Sequence, residues 1–286
     1  MKTPWTYSVT GYQFTGRSHS EIIDVCAAAG FAGIEATPLL FPRGGSAECG
    51  RAAADYQTAG LAIDTFHLPF RPEDDITSFY ETNRRQAVSE IKGWMETAAA
   101  LGARAVIQHP SCLHAPPAVE GMDPFIRALD KSLGELLPFA EELKLIIAVE
   151  NMPSGRHGES FGSRPEHFTE IASRFAHPRL GFCLDTGHAL MSAHGEAHRF
   201  FETMQPSLAA YHLADNAGDR DSHLAPGRGR VGWNRLFQAM RDAGFTGTAC
   251  IETPPFDYGP DYSREAWQSL LRATTALSDL ALSSEN

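Results

Sequence analysis

Short apolar runs recur along the chain, most of them closed by a polar or titratable residue, with stretches of helical period between them. The runs read YSVT (7–10), GIEA (33–36), AIDTFH (62–67), AVIQH (105–109), IIAVE (146–150), LGFCLD (180–185), LAAYHL (208–213) and TACIE (248–252). Among the intervening segments, SEIIDVCAAAG runs from a Ser cap to a Gly stop, and TNRRQAVSEIKGWMETAAALG is long and amphipathic. MDPFIRALDKSLGELLPFAEEL, RPEHFTEIASRF, WNRLFQAMRDAG and SREAWQSLLRATTALSDLAL complete the clearer helices. In AAAGFAGIEA, AAALGARAVIQ and RDAGFTGTACIE a helix stops at Gly and a buried strand follows, as at the junctions of a parallel sheet. Eight such alternations predict an α/β chain folded as a single (β/α)8 TIM barrel, one domain over residues 1–286. No GxGxxG follows the first strand, so a dinucleotide-binding sheet lacks its fingerprint. SSEN at the end reads as a frayed tail.

Composition narrows the partners. The 286 residues suit one such barrel, which runs to roughly 250 residues, and 43% hydrophobic content supports a sizeable core. Lys+Arg 24 against Asp+Glu 35 gives a formal charge of −11, which argues against nonspecific nucleic-acid binding. MKTPWTYSVTGYQF has no apolar signal region, and no run approaches the ~18 apolar residues of a membrane span. The expectation is a cytoplasmic protein with no membrane partner, leaving room for a homo-oligomer. The five Cys include no CxxC pair, and Cys183 and Cys250 fall inside strands, where reduced core residues are expected.

The chemistry gathers at strand ends. His67, His109, Glu150, Asp185, His212 and Glu252 each close a run, and a parallel barrel brings those ends to one mouth. Glu150, Asp185, His212 and Glu252 alone offer three carboxylates and one neutral imidazole, a set of net charge −3 suited to Mn²⁺, Mg²⁺, Co²⁺ or Zn²⁺. His188 stands three residues after Asp185 on the turn leaving that strand, so both can face one cavity. Asp221 and His223 alternate in an extended loop and can point the same way.

The strings AVEN, CLDTGH, YHLADN and IETPP, with DSHLAPGRGRVGW after the seventh strand, resemble the xylose isomerase-like TIM-barrel superfamily over nearly the whole chain. That superfamily includes sugar-phosphate isomerases and epimerases, ketose epimerases and endonuclease IV-type apurinic endonucleases. The resemblance implies that Glu150, Asp185, His212 and Glu252 ligate a divalent metal. It implies a sugar, sugar-phosphate or sugar-acid substrate whose proton moves between Glu150 and Glu252 through an enediolate, or by a metal-assisted hydride shift. An inosose-type dehydration is open to the same site.

With His67, His109, His188, Asp221 and His223 added, the nine positions resemble the full ligand set of the trinuclear zinc endonucleases. The alternative is that these five hydrogen-bond sugar hydroxyls around a single metal, His188 orienting the substrate oxygen. The loops LLFPRGGSAECGR and HLPFRPEDDITS favour that alternative, because Arg43, Arg51 and Arg71 are sparse where a DNA-bending enzyme needs cations and apolar wedges. Arg228 and Arg230 in PGRGR can clamp a phosphate or carboxylate. Arg156 lies where ketose epimerases commonly carry a substrate-binding Glu, a departure that favours an anionic substrate over a free ketohexose. Trp5, Phe14, Phe66 and Phe70 are expected in the core rather than a sugar wall. His114, His157, His194 and His198 are expected on the surface or in loops. Ser111 and Cys112 follow His109 without a base–nucleophile pattern.

Overall fold

The computed structural model describes residues 4–43, 46–112, 116–154, 158–192, 197–259 and 262–283. Eight strands, β1 (Thr6–Thr10), β2 (Gly33–Ala36), β3 (Ala62–His67), β4 (Ala105–Gln108), β5 (Ile146–Glu150), β6 (Leu180–Asp185), β7 (Leu208–Leu213) and β8 (Thr248–Ile251), follow the apolar runs closely. They close into a barrel in chain order. Every neighbouring pair is parallel, and β8 returns to pair with β1 through Ser8 opposite Cys250. The (β/α)8 barrel read from the sequence is the fold observed.

The helices are α1 (His19–Ala29), α2 (Ser46–Thr58), α3 (Glu81–Ala100), α4 (Pro117–Glu120), α5 (Asp123–Leu143), α6 (Pro165–Arg174), α7 (Thr186–Leu190), α8 (Ala197–Met204), α9 (Trp233–Asp242) and α10 (Arg264–Ser283). Local chemistry sets their ends. Ser18 and Glu21 form a reciprocal capping box at the start of α1, and Gly30 ends it in the left-handed conformation at φ 93°. Two elements depart from the sequence reading. The tract read as a loop, LLFPRGGSAECGR, enters α2 at Ser46, and His198, expected at the surface, is buried on α8. His198 belongs to the packed face of that helix with Phe200 and Phe201.

Period-2 alternation divides every strand between two environments. Val9, Ile34, Phe66, Val106, Ile147, Val149, Phe182, Leu184, Tyr211, Leu213 and Ile251 face outward and join one continuous core with the helices. The inward positions form layers. Ile107, Ala148, Cys183 and Ala210 make a small apolar cluster of their own inside the barrel. Two residues further along the same four strands come His109, Glu150, Asp185 and His212. Small apolar side chains fill the lumen below, and a polar layer sits directly above them. Among the described residues no helix is long and apolar enough to cross a membrane.

Candidate active site

Glu150, Asp185, His212 and Glu252 converge at the carboxyl-terminal mouth, all buried, with one donor atom from each lying within 4.8 Å of the others. His212 is the centre. Its Nδ1 lies 2.9 Å from Glu150 Oε1 and 3.0 Å from Glu252 Oε2. Asp185 Oδ1 accepts the His188 backbone N–H at 2.6 Å, and Asn151 holds the same residue by its backbone, with Oδ1 accepting Asp185 N–H at 2.7 Å. Glu150 Oε2, Asp185 Oδ2 and Glu252 Oε2 are buried without a hydrogen-bond donor. Buried carboxylate oxygens are costly unless something cationic satisfies them, so the donor set fits a hard divalent ion.

The remaining five residues read as possible donors arrange themselves as two pairs of imidazoles, each sharing one carboxylate oxygen. His67 Nε2 and His109 Nε2 lie 3.6 Å and 3.1 Å from Glu150 Oε2. His188 Nε2 and His223 Nε2 lie 3.2 Å and 3.0 Å from Asp221 Oδ2. Three of these rings are fixed from behind by carbonyls: His67 Nδ1 on Leu68 O, His188 Nδ1 on Asn151 O and His223 Nδ1 on Glu252 O, each at 2.8 Å. A carbonyl only accepts, so each Nδ1 carries a proton and each ring turns its Nε2 toward the cavity, able to ligate a cation once that nitrogen gives up its proton.

Electrostatics follow from this crowding. Burial pushes Asp185 up to about 7, and the neighbouring Glu252 and Glu150 add to the effect. Burial opposes ionisation of Glu252 as well, yet the adjacent His212 outweighs it and brings that carboxyl down to about 2. Glu150 is held well below the usual carboxylate range, because His212 and His109 overcome its burial. Burial works against the charged form of His223 too, but Asp221 raises it to about 10.

Several residues here were not singled out from the sequence. Glu35, in the middle of β2 and fully buried, places Oε2 3.0 Å from His212 Nε2. Tyr12 meets the His67 ring edge-on with centroids 5.3 Å apart. Asp215, just past β7, accepts the backbone N–H groups of Asn216, Gly227 and Val231 and the indole N–H of Trp233 at 2.8–3.0 Å. It thereby fixes the loop that carries Asp221 and His223. Gly229 in that loop has no room for a Cβ, which would collide with Asn216 O and Asp215 Oδ1. The signal for Glu35 was present: an acid between outward-facing Ile34 and Ala36 in a buried strand must point into the barrel.

Other expectations separate. Trp5, Phe14 and Phe66 are core residues, whereas Phe70 is 47% exposed and stacks on His109 with centroids 4.8 Å apart. Arg43 is paired to Glu90 and Arg71 to Asp74, so neither is free for phosphate. Arg228 and Arg230 are exposed on the loop after β7, Arg228 lying over the Tyr258 ring at 5.1 Å. Arg156, His114, His157 and His194 lie outside the described residues.

Comparison with known proteins agrees with the barrel. Uncharacterized protein MJ1311 of Methanocaldococcus jannaschii is 28% identical over 193 residues, 65% of this chain and 62% of that protein. Uncharacterized protein y4fM of Sinorhizobium fredii is 27% identical over 190 residues, 65% of this chain and 60% of that one. The chain thus spans just over 60% of the length of these relatives. Among solved structures, a D-tagatose 3-epimerase-like protein superposes with a TM-score of 0.78 at 22% identity, covering 97% of this chain and 100% of that one. The IOLI protein with a bound zinc atom gives 0.75 at 19% identity, over 97% and 99% of the two chains. The xylose isomerase-like TIM barrel pattern matches residues 23–275, and the chain belongs to that family.

Proposed function

We propose that this chain is a divalent-metal-dependent isomerase or epimerase acting on a sugar, sugar phosphate or sugar acid. The observation that carries the reading is the approach of two carboxylates from separate strands, Glu150 and Glu252, to within 3.0 Å of one His212 nitrogen. Glu150, Asp185, His212 and Glu252 would hold the cation, and Mn²⁺, Zn²⁺, Mg²⁺ and Co²⁺ all suit three carboxylates and an imidazole. When bound, it supplies Lewis-acid polarisation of a carbonyl and the hydroxyl beside it. The structures of a D-tagatose 3-epimerase-like protein and of a zinc-bound IOLI protein, similar in fold, support both halves of the reading.

The protein's own groups then move the proton. One carboxylate of the Glu150–Glu252 pair takes it from the carbon beside the carbonyl, leaving an enediolate. The other returns it to the neighbouring carbon in an isomerase, or to the opposite face in an epimerase. A hydride shift would need the same ligands and no proton acceptor. His188, anchored on Asn151 O, orients a substrate oxygen, and Tyr12 and Phe70 exclude water on the β1–β3 side. In the test, metal-loaded wild type exchanges solvent deuterium into a ketose or sugar-acid substrate, and Glu150→Gln or Glu252→Gln loses about 10²–10⁴ in rate. Full activity in both variants would rule the pair out.

A second reading rests on the two imidazole pairs. Each shared oxygen, Glu150 Oε2 and Asp221 Oδ2, could hold a further cation with its two Nε2 donors, which is the donor pattern of a trinuclear zinc phosphodiesterase. Metal content separates the two: one ion per chain supports the isomerase. Three ions, with nicking of abasic duplex DNA that disappears in His109→Ala, support the hydrolase.

A further inference from the structure

Glu35 is a carboxylate buried to 0% exposure inside a protein whose lumen already holds three others. An ionised group in such a place is costly, and packing alone gives no reason to keep it. Its contacts account for it. Oε2 accepts the Thr65 hydroxyl at 2.8 Å and faces His212 Nε2 at 3.0 Å, while the Thr10 hydroxyl reaches Oε1 at 3.4 Å. A register shift between β2 and β3, across Ile34 and Ala36, falls at this point and brings Thr65 to Glu35.

The two nitrogens of an imidazole diverge, so Glu35 lies behind the His212 ring while Glu150 and Glu252 lie before it. Glu35, His212 and Cys250 also bring donor atoms within 4.8 Å of one another, which would allow a cation on the rear side. The unpartnered oxygens decide between the two sides. Glu150, Asp185 and Glu252 each have one, whereas both oxygens of Glu35 already have partners.

We infer that Glu35 is a positioning residue: it accepts the Nε2 proton of His212, fixes the ring and leaves Nδ1 as the metal-binding atom. The inference rests on the metal-site reading above. The chain of contact is Thr65 to Glu35 to His212, and neither Thr65 nor Glu35 touches the cation side. A carboxylate behind a ligating imidazole also raises its basicity, and losing such a partner typically costs 10–100-fold in metal affinity.

The test is zinc affinity by competition with a chromogenic chelator, on the full-length wild type, Glu35→Ala, Glu35→Gln and Thr65→Val. Thermal unfolding of each protein without metal serves as the control. The expected losses are about 10–100-fold for Glu35→Ala, less for Glu35→Gln, which keeps an acceptor but not the charge, and least for Thr65→Val. Nitrogen-15 spectra of zinc-loaded wild type should show His212 metallated at Nδ1 and protonated at Nε2. Wild-type affinity in both Glu35 variants, or metallation at Nε2, overturns the inference while the metal site stands. Wild type that takes up no zinc overturns the metal-site reading and this inference with it. Should Glu35→Ala fail to fold, the isosteric Glu35→Gln and Thr65→Val decide by the same measurement.

Discussion

The two ends of the barrel carry comparable polar side chains in opposite circumstances. At the amino-terminal floor, Arg104, just before β4, bonds Asp64 at 2.8 Å and reaches Ala209 O on β7 at 2.9 Å, while Thr6 and Thr248 share a 3.0 Å hydroxyl contact. These groups pair with one another and remain solvent-exposed. At the carboxyl-terminal mouth, Glu150, Asp185 and Glu252 are buried and each keeps an oxygen without a donor. The floor is satisfied by the protein alone and the mouth is not. A buried carboxylate cluster that folding leaves incomplete is a place built for a ligand, and in barrels of this class that end carries the chemistry.

The largest expected effect tests that incompleteness. Asp185→Asn should lower divalent-metal affinity by at least about 100-fold, the upper range that even indirect partners reach, and abolish turnover. The metal-free variant should nevertheless melt at the same temperature as metal-free wild type or higher, because Asp185 is pushed up to about 7 by burial beside Glu252 and Glu150. A metal-free variant that melts well below wild type would mean that Asp185 stabilises the fold, and the contrast between the ends would fail.

A smaller effect separates the loop after β7 from the barrel wall. Asp215 satisfies four donors, so Asp215→Asn turns an accepting oxygen into a donor facing N–H groups and should cost about 3 kcal/mol. Equilibrium denaturation measures it. Because Asp221 and His223 ride on that loop while Glu150, Asp185, His212 and Glu252 lie at strand ends, the variant should keep one metal ion. Loss of that ion would tie the two regions together.

His167 offers a comparison within the mouth. It sits on α6 and its Nδ1 accepts the Gly162 N–H at 3.0 Å, while the neighbouring Glu166 favours its charged form only weakly. Burial, with Arg164 adding repulsion, lowers it to about 4. The unfolded chain therefore takes up this proton first, near pH 6.5, and the folded chain only near pH 4. Stability should fall by roughly 3 kcal/mol as pH drops through that window and level off below it. His167→Gln, which keeps an acceptor, should remove that share of the slope in pH-dependent unfolding. An unchanged slope would show that His167 is not the group responsible.

How much of this was legible in the chain depends on which physical signal each residue carried. The strands were legible because both of their faces are buried, so their apolar runs stand out between helices: β2, β3, β5, β6 and β7 match the apolar runs, and β1, β4 and β8 differ by one residue at an end. Strand-end donors were legible because a titratable group closing an apolar run breaks the pattern. Glu35 was not, because GIEA is short and its acid stands mid-strand, where only the alternation of Ile34 and Ala36 reveals its direction. Helix α2 was hidden because SAECGRAAADYQT is mostly small and polar, with weak helical periodicity. Asp215 was hidden because its role is to hold backbone N–H groups scattered over residues 216–231, a pattern that side-chain spacing does not record.

The smallest expected effect belongs to the floor. Arg104 is exposed, and an exposed ion pair contributes about 0–1 kcal/mol once side-chain ordering and salt screening are counted. Its bond to Ala209 O adds one neutral acceptor that water replaces when the side chain is removed. Arg104→Ala should therefore shift stability by less than about 1 kcal/mol and leave metal affinity and turnover at wild-type values. Arg104 is neutralised by Asp64 and screened by solvent, and the layer of Ile107, Ala148, Cys183 and Ala210 separates it from the donor layer, so its removal should not be felt above. A change of tenfold or more in metal affinity in Arg104→Ala would show that the layer transmits what happens below. The independence of the two ends would then have to be abandoned, even with every donor at the mouth correctly placed.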